Sequence, residues 1–326
     1  MTNRAAERLP GPLELVSNVC SAVAATHKWK IQMAEYVGVR ASEILGQKEL
    51  VGFLKSRFPA ATKQIGRATL PGTECVEVRV PSNSPEFEEI RDFIVDRRRQ
   101  QVPGFSPPLT IGRYLRKYTK KELLDAEILL LVRIPHFEPS GEECGTVYET
   151  LCKHCNWGRQ ISDLILDLRS VPQHKDISET IAWVEWVASS SFVQTFAENK
   201  FTGAEFQQVF HLRNPIKRSD KWSQLRVTGA AGSLAGATKV GRDPFSPSEV
   251  SWRCPLGHSV VTQFLSEIYL ERSEWDGSDI AITSALFGQG RNLLRPTPLI
   301  FISQRMYRAI EAADLAGFSF EVAHLV

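Results

Sequence analysis

The chain has 326 residues, 43% of them hydrophobic and 23% charged, enough to bury one large core or two smaller ones. Its net charge of +2 is too mild to point to nucleic acid or an acidic membrane surface as partner. No apolar run reaches the roughly 18 residues of a membrane span, and the opening MTNRAAERLPGP lacks a signal peptide's apolar core, so the expected location is the cytoplasm.

Residues 1–11 are polar, end in PGP and read as a loose tail. Residues 12–108 read as a helical and mixed subdomain. Within it, QKELVGFLKSRF places Leu50, Val51, Leu54 and Phe58 on one face of an amphipathic helix. CVEVRV alternates as a strand does. SPEFEEIRDFIVDRRR follows as a helix with Ser84 at the cap and Pro85 at the first helical position. The Pro-rich QVPGFSPPL marks an internal boundary near residues 102–109. Two basic runs, Arg97 to Arg99 and Arg116 to Lys121, read as solvated helix faces.

The remainder, residues 109–326, reads as an α+β domain. TKKE from Thr119 to Glu122 spells a capping box, and EILLLVRI reads as a strand buried on both faces. Further on the chain resembles itself. SFVQTFAENKFTGAEFQQVFHL, from Ser191, and SQRMYRAIEAADLAGFSFEVAHL, from Ser303, share an opening Ser, a helix-period stretch, a Gly, a Phe three residues later and a closing His-Leu. With the strand-like IAWVEWVA and PLIFI ahead of them, they predict two strand-helix-strand repeats over 181–212 and 298–325. Gly203 and Gly317 are expected to be the left-handed exits of the two helices. Between the repeats, VTGAAGSLAG from Val227 to Gly236 lacks the glycine offsets of a dinucleotide fingerprint and reads as a loop.

Six cysteines in a chain of this length without an export signal favour metal binding or buried thiols over a disulfide framework. LCKHCNWG carries Cys152 and Cys155 at the spacing of a metal knuckle. WRCPLGHSV carries Cys254 and His258, with Pro255 and Gly257 between them to turn the chain sharply. Three thiolates and one imidazole make the sulfur-rich tetrahedral set that suits a structural zinc ion. Each half of the duplicated region would supply one ligand pair, so the ion would cross-link distant segments. Cys144 is a rival fourth ligand that would leave His258 free, and His154 is a third option. Glu142, Glu143, His211 and His324 read as solvated or structural groups.

FEPSGEECGT, CKHCNWG, VASSSFVQTFAENKFTGAEF, WRCPLGHS, WDGSDIAITSALFG and LIFISQRMYRAIEAADLAGFSFEVAHL together resemble the bacterial double-CXXCG motif proteins. The resemblance covers roughly residues 120–326. Both motifs depart from the pattern: Asn156 stands where the first glycine follows the cysteine, and Gly257-His258 stands in place of Cys-Gly. Some members of that family are named as immunity proteins that neutralise toxins passed between neighbouring cells. The resemblance therefore implies a non-enzymatic binding protein with a cognate toxin as partner. Trp275, Asp276 and Asp279, in the WDGSD turn, are the partner-binding residues expected on that reading. Two alternatives are a hydrolase or nuclease using acidic residues and a free His258, and a nucleic-acid-binding zinc protein using the two basic runs.

Overall fold

The computed structural model describes residues 33–65, 73–105, 111–132, 134–241, 243–245, 254–258, 263–288 and 296–326. The tail 1–11, Cys20 and residues 106–110 of the Pro-rich boundary lie outside them. Among the described residues no helix is long and apolar enough to cross a membrane.

The first layer is an antiparallel four-stranded sheet with two helices. Its elements are β1 (Ala34–Ser42), α1 (Lys48–Arg57), β2 (Thr62–Gln64), β3 (Cys75–Pro81), α2 (Pro85–Arg99) and β4 (Gly112–Lys117), with sheet order β2-β3-β1-β4. α1 buries Leu50, Val51 and Leu54, as its periodicity requires, each contributing about 1.5–3 kcal/mol of transfer free energy. α2 begins at Pro85, and the Ser84 side chain accepts from the Phe87 amide, as expected of that cap. The sequence boundary needs correction here. Beyond the Pro-rich connector, β4 pairs with β1 from Val39–Gly112 to Ala34–Lys117, so the first layer runs past residue 109. Phe245, from far along the chain, joins this layer's core.

The basic runs are also corrected. Arg98 is nearly buried and forms a two-point ion pair with the fully buried Asp243. Arg116 lies under the surface between Glu35 and Glu321. A guanidinium withdrawn from water needs such partners, and the contacts with Asp243 and Glu321 tie the first layer to the second half of the chain. Lys120 and Lys121 keep to the expected pattern of exposed surface pairs.

The second half follows from α3 (Lys120–Asp125), which has both arms of the Thr119–Glu122 capping box. Then come β5 (Ile128–Leu131), β6 (His136–Phe137), β7 (Tyr148–Cys152), β8 (Trp157–Gln160), β9 (Leu164–Leu166), β10 (Ile177–Thr180), β11 (Trp186–Ser189), α4 (Ser190–Glu198), β12 (Ala204–His211) and β13 (Lys217–Val227). The chain continues through β14 (Gly229–Gly232), β15 (Val240–Gly241), β16 (Gln263–Phe264), β17 (Ile268–Leu270), β18 (Ile280–Thr283), β19 (Ile300–Ser303), α5 (Gln304–Ala312) and β20 (Phe320–Leu325). Two six-stranded sheets result, ordered β6-β10-β11-β13-β12-β9 and β14-β18-β19-β5-β20-β17.

The two sheets match strand for strand, including the sense of every pairing. β6–β10 and β14–β18 are parallel, as are β12–β9 and β20–β17, and the inner pairs of both sheets are antiparallel. One pair of strands crosses over. β5 precedes β6 in the chain yet sits in the other sheet, and β13 precedes β14 yet sits in the first. From β5 onward the chain is therefore two copies of one unit, each lending its first strand to the centre of the other's sheet. Registers agree: Phe206 faces Leu225 as Phe320 faces Leu131. Ile128 to Leu131 are all buried because β5 has a core on each face, Leu129 and Leu131 in the central one, Ile128 and Leu130 in the outer one.

The repeat is thus larger than the two strand-helix-strand segments, and its register is corrected. Ser189, not Ser191, is the equivalent of Ser303, because each caps its helix by accepting from the amide three residues on, Phe192 and Met306. The same spacing separates Gly203 from Gly317 and Phe206 from Phe320. The left-handed residues that leave the helices are Lys200 and Asp314, both with φ of 51°. Gly203 and Gly317 come three residues later, with φ of 91° and 106°. VTGAAGSLAG is corrected from loop to strand, since its centre is the edge strand β14.

Candidate metal centre

Each unit carries one knuckle, placed after its edge strand, β6 or β14, and before β9 or β17. The first sits at the tip of the β7–β8 hairpin, where Cys152 pairs with Trp157. Asn156 takes φ of 55° there, a left-handed conformation that asparagine tolerates better than most residues, which suits it to the place of the missing glycine. In the second knuckle the Gly257 amide donates to the Cys254 carbonyl at 2.8 Å and the Cys254 amide to the His258 carbonyl at 2.9 Å. Gly257 has φ of 86°, so glycine makes that tight turn without strain.

These turns bring Cys152, Cys155, Cys254 and His258 together, with all four ligand atoms within 4.8 Å of one another. Cys152 Sγ lies 3.9 Å from Cys254 Sγ, and Cys155 Sγ lies 3.2 Å from His258 Nδ1. A tetrahedron with metal–sulfur bonds of about 2.3 Å has sulfur edges of about 3.8 Å, so the donor set fits a metal ion. The three cysteines are buried and His258 is half-buried. Trp157 covers the cluster, its ring 5.1 Å from that of His258. Four such residues could hold a metal ion and leave no free thiolate in the set.

Without an ion the thiols compete for ionisation. Burial opposes the Cys152 thiolate, but amide donors at Cys155 and His154 outweigh it and hold that thiol low. Burial and the neighbouring Cys152 and Cys254 sulfurs push Cys155 up. A dication would relieve that mutual repulsion.

The rival ligands lie elsewhere. Cys144 is buried in a short 3-10 turn beside Asp167 and is not among the clustered donors; burial pushes its thiol up. His154 is exposed on the first knuckle. His258 is drawn into the cluster, which corrects the reading that leaves it free. Of the acidic pair, Glu143 accepts from the Ser140 amide and Glu142 from the Trp183 indole. His211 is buried and accepts from the Leu168 amide, and His324 meets Glu267 at 2.7 Å.

The WDGSD turn is structural in part. Asp279 is 5% exposed and accepts from Ser303 and Arg305, so the surface role expected of it is corrected. Asp276 is exposed while accepting from the Ala230 and Ser278 amides, and Trp275 is half-buried against the outer core.

What holds the first hairpin in place carries no motif in the sequence. Tyr148 stacks on Trp183 with centroids 3.9 Å apart, and its hydroxyl donates to the buried Glu185, which also receives the Gly141 amide. Burial pushes Glu185 up against the opposing effect of those donors.

Comparison of the chain with models of known protein families, and with curated proteins, finds no match.

Proposed function

We propose that this chain is a cytoplasmic, non-enzymatic binding protein that neutralises a bacterial toxin, with a structural zinc ion clamping its two units. The convergence of Cys152, Cys155, Cys254 and His258 carries the metal part of this reading, because the donors come from both units and are sulfur-rich. Such a set satisfies the ion with protein ligands alone, which suits a structural role better than one that holds a water for catalysis. The resemblance to the double-CXXCG proteins carries the toxin part. An occluding protein needs a rigid complementary surface, and a cross-link between units supplies rigidity. The exposed Asp276 and the half-buried Trp275 remain the surface to examine first.

Co-expression with any toxin gene encoded beside this one tests the reading. Growth should be restored, and purified chain should bind the toxin tightly. Failure of both would remove the toxin reading, while turnover of a substrate abolished by Glu142→Ala or Glu143→Ala would move the chain to the hydrolase alternative.

A further inference from the structure

The two units bring their donors together in an unequal way. The leading cysteines of the two knuckles, Cys152 and Cys254, face each other at 3.9 Å, although they are 102 residues apart in sequence. The second donors, Cys155 and His258, face each other at 3.2 Å. Of these two facing pairs, only the first consists of two sulfurs. A disulfide is about 2.0 Å long, so Cys152 and Cys254 need approach by only about 2 Å to bond. Cys155 lies nearest the imidazole, with the other two sulfurs also within 4.8 Å of it.

The sulfurs are buried but lie beside exposed residues. The cysteines themselves are no more than 3% exposed, but Leu256 at the tip of the second knuckle is 62% exposed. Lys153, His154 and Asn156 around Cys155 are exposed, and His258 is half-buried. Among the described residues, the knuckle turns themselves form the cover over the sulfurs, a depth suited to a small neutral oxidant.

We propose that the cluster is a peroxide-responsive centre, in which oxidation joins Cys152 to Cys254 and releases the metal. The inference rests on the metal-clamp reading above. One of the two thiolates attacks a peroxide oxygen; the O–O bond breaks, hydroxide leaves and a sulfenic acid forms. The other thiolate attacks that sulfur, the S–S bond forms and a second hydroxide leaves. Two thiolates lose two electrons and one hydrogen peroxide gains them. With Cys152 and Cys254 joined, only Cys155 and His258 would remain to hold an ion, whose charge is unchanged, and it would be released. The units stay joined throughout, first by coordination and then by a covalent bond, while Cys155 becomes a free thiol. A disulfide within the first knuckle, between Cys152 and Cys155, would instead leave the units unlinked.

The test uses the full chain loaded with zinc, its metal content measured beforehand. Hydrogen peroxide is added while a chromogenic chelator reports free zinc, and non-reducing peptide mapping then locates the disulfide. One zinc should appear per disulfide formed, the Cys152 and Cys254 peptides should be joined, and Cys155 should remain open to alkylation. A thiol reductant with added zinc should reverse both changes. Cys144→Ser should behave as the natural chain does. His258→Cys, which keeps a four-donor set, should load with zinc before oxidation and lose four hydrogens on oxidation instead of two. Zinc retained at a peroxide excess that oxidises free cysteine, or a disulfide mapped to Cys152–Cys155, would overturn the proposal. A chain that cannot be loaded with zinc counts against the clamp itself, and mapping of that metal-free chain still decides which cysteines pair.

Discussion

Asp176 and Asp279 occupy equivalent places in the two units, and each joins its own unit to the other. Asp176 accepts from Ser189 Oγ at 2.7 Å in its own unit and from the Ala316 amide at 2.8 Å in the other. Asp279 accepts from Ser303 Oγ at 2.8 Å and from the Thr202 amide at 3.0 Å in the reverse direction. Each carboxylate thus fixes the serine that caps one helix against the turn that follows the other helix. The exchange of β5 and β13 is held shut by this pair of contacts.

Removing either carboxylate should therefore weaken the whole second half. Asp176→Asn and Asp279→Asn are each expected to cost about 1–3 kcal/mol, read from urea unfolding. Asp279 should cost more because it also pairs with Arg305 at 3.1 Å. Burial opposes ionisation of Asp279, but Arg305, Ser303 and the Thr202 amide outweigh it and hold the carboxyl below its usual range. A depressed folded value means its contribution is present above the unfolded pKa of about 3.9 and is lost as pH falls through the folded value. The gap between the natural chain and Asp279→Asn should narrow as pH drops below about 4; a gap that stays constant would count against the assignment.

Gly203 and Gly317 make equivalent close approaches. A Cβ on Gly203 would come within 2.0 Å of the Ile280 carbonyl, and one on Gly317 within 2.6 Å of the Ile177 carbonyl. Ile280 and Ile177 are themselves equivalent, each following the bridging aspartate. Since both glycines also have positive φ, Gly203→Val and Gly317→Val should each destabilise by at least about 1–3 kcal/mol, Gly203 the more severely. Denaturant midpoints decide it, and two silent substitutions would contradict the geometry.

Protein purified without chelator should carry about one zinc per chain by elemental mass spectrometry. Cys155→Ser should lower both that ratio and the melting temperature, because an ion held by these four residues would connect the two units. Cys144→Ser should leave the metal content unchanged. Chelation should lower the melting temperature of the natural chain and have little effect on Cys155→Ser.

Glu185 should make the protein less stable at high pH. Burial raises its carboxyl above the usual value, against the donors from Tyr148 and Gly141, so the folded chain binds this proton more tightly than the unfolded one. Its contribution is therefore most favourable below the unfolded pKa of about 4.3 and declines as pH rises through the folded value. Glu185→Gln can keep both donors on Oε1 and removes that titration. Its stability relative to the natural chain should rise as pH increases above about 4, and a parallel pair of curves would refute this.

Asp243→Ala should cost about 3–5 kcal/mol, since it leaves Arg98 without its carboxylate in a nearly dry site. The loss should appear first in the opening layer, where Phe245 packs two residues away, and amide exchange in β1 and β3 would report it.

Local chemistry was legible in the sequence. Ser84 and Thr119 start their helices where the cap residues and the first-turn Pro85 and Glu122 indicated, because capping depends on atoms within three residues. The paired knuckles were legible too, since ligand spacing and Pro-Gly turn residues describe a site before its halves meet. EILLLVRI announced a strand buried on both sides, but nothing in its apolar run could say which sheet it would enter. That choice, like the pairing of Arg98 with Asp243 and the close approach at Gly203, depends on which distant backbone arrives beside it. Periodicity records how a segment divides between core and solvent. Only the tertiary structure decides which segments share a core, because the hydrogen bonds and clashes that select one register from its alternatives exist only once both strands are in place.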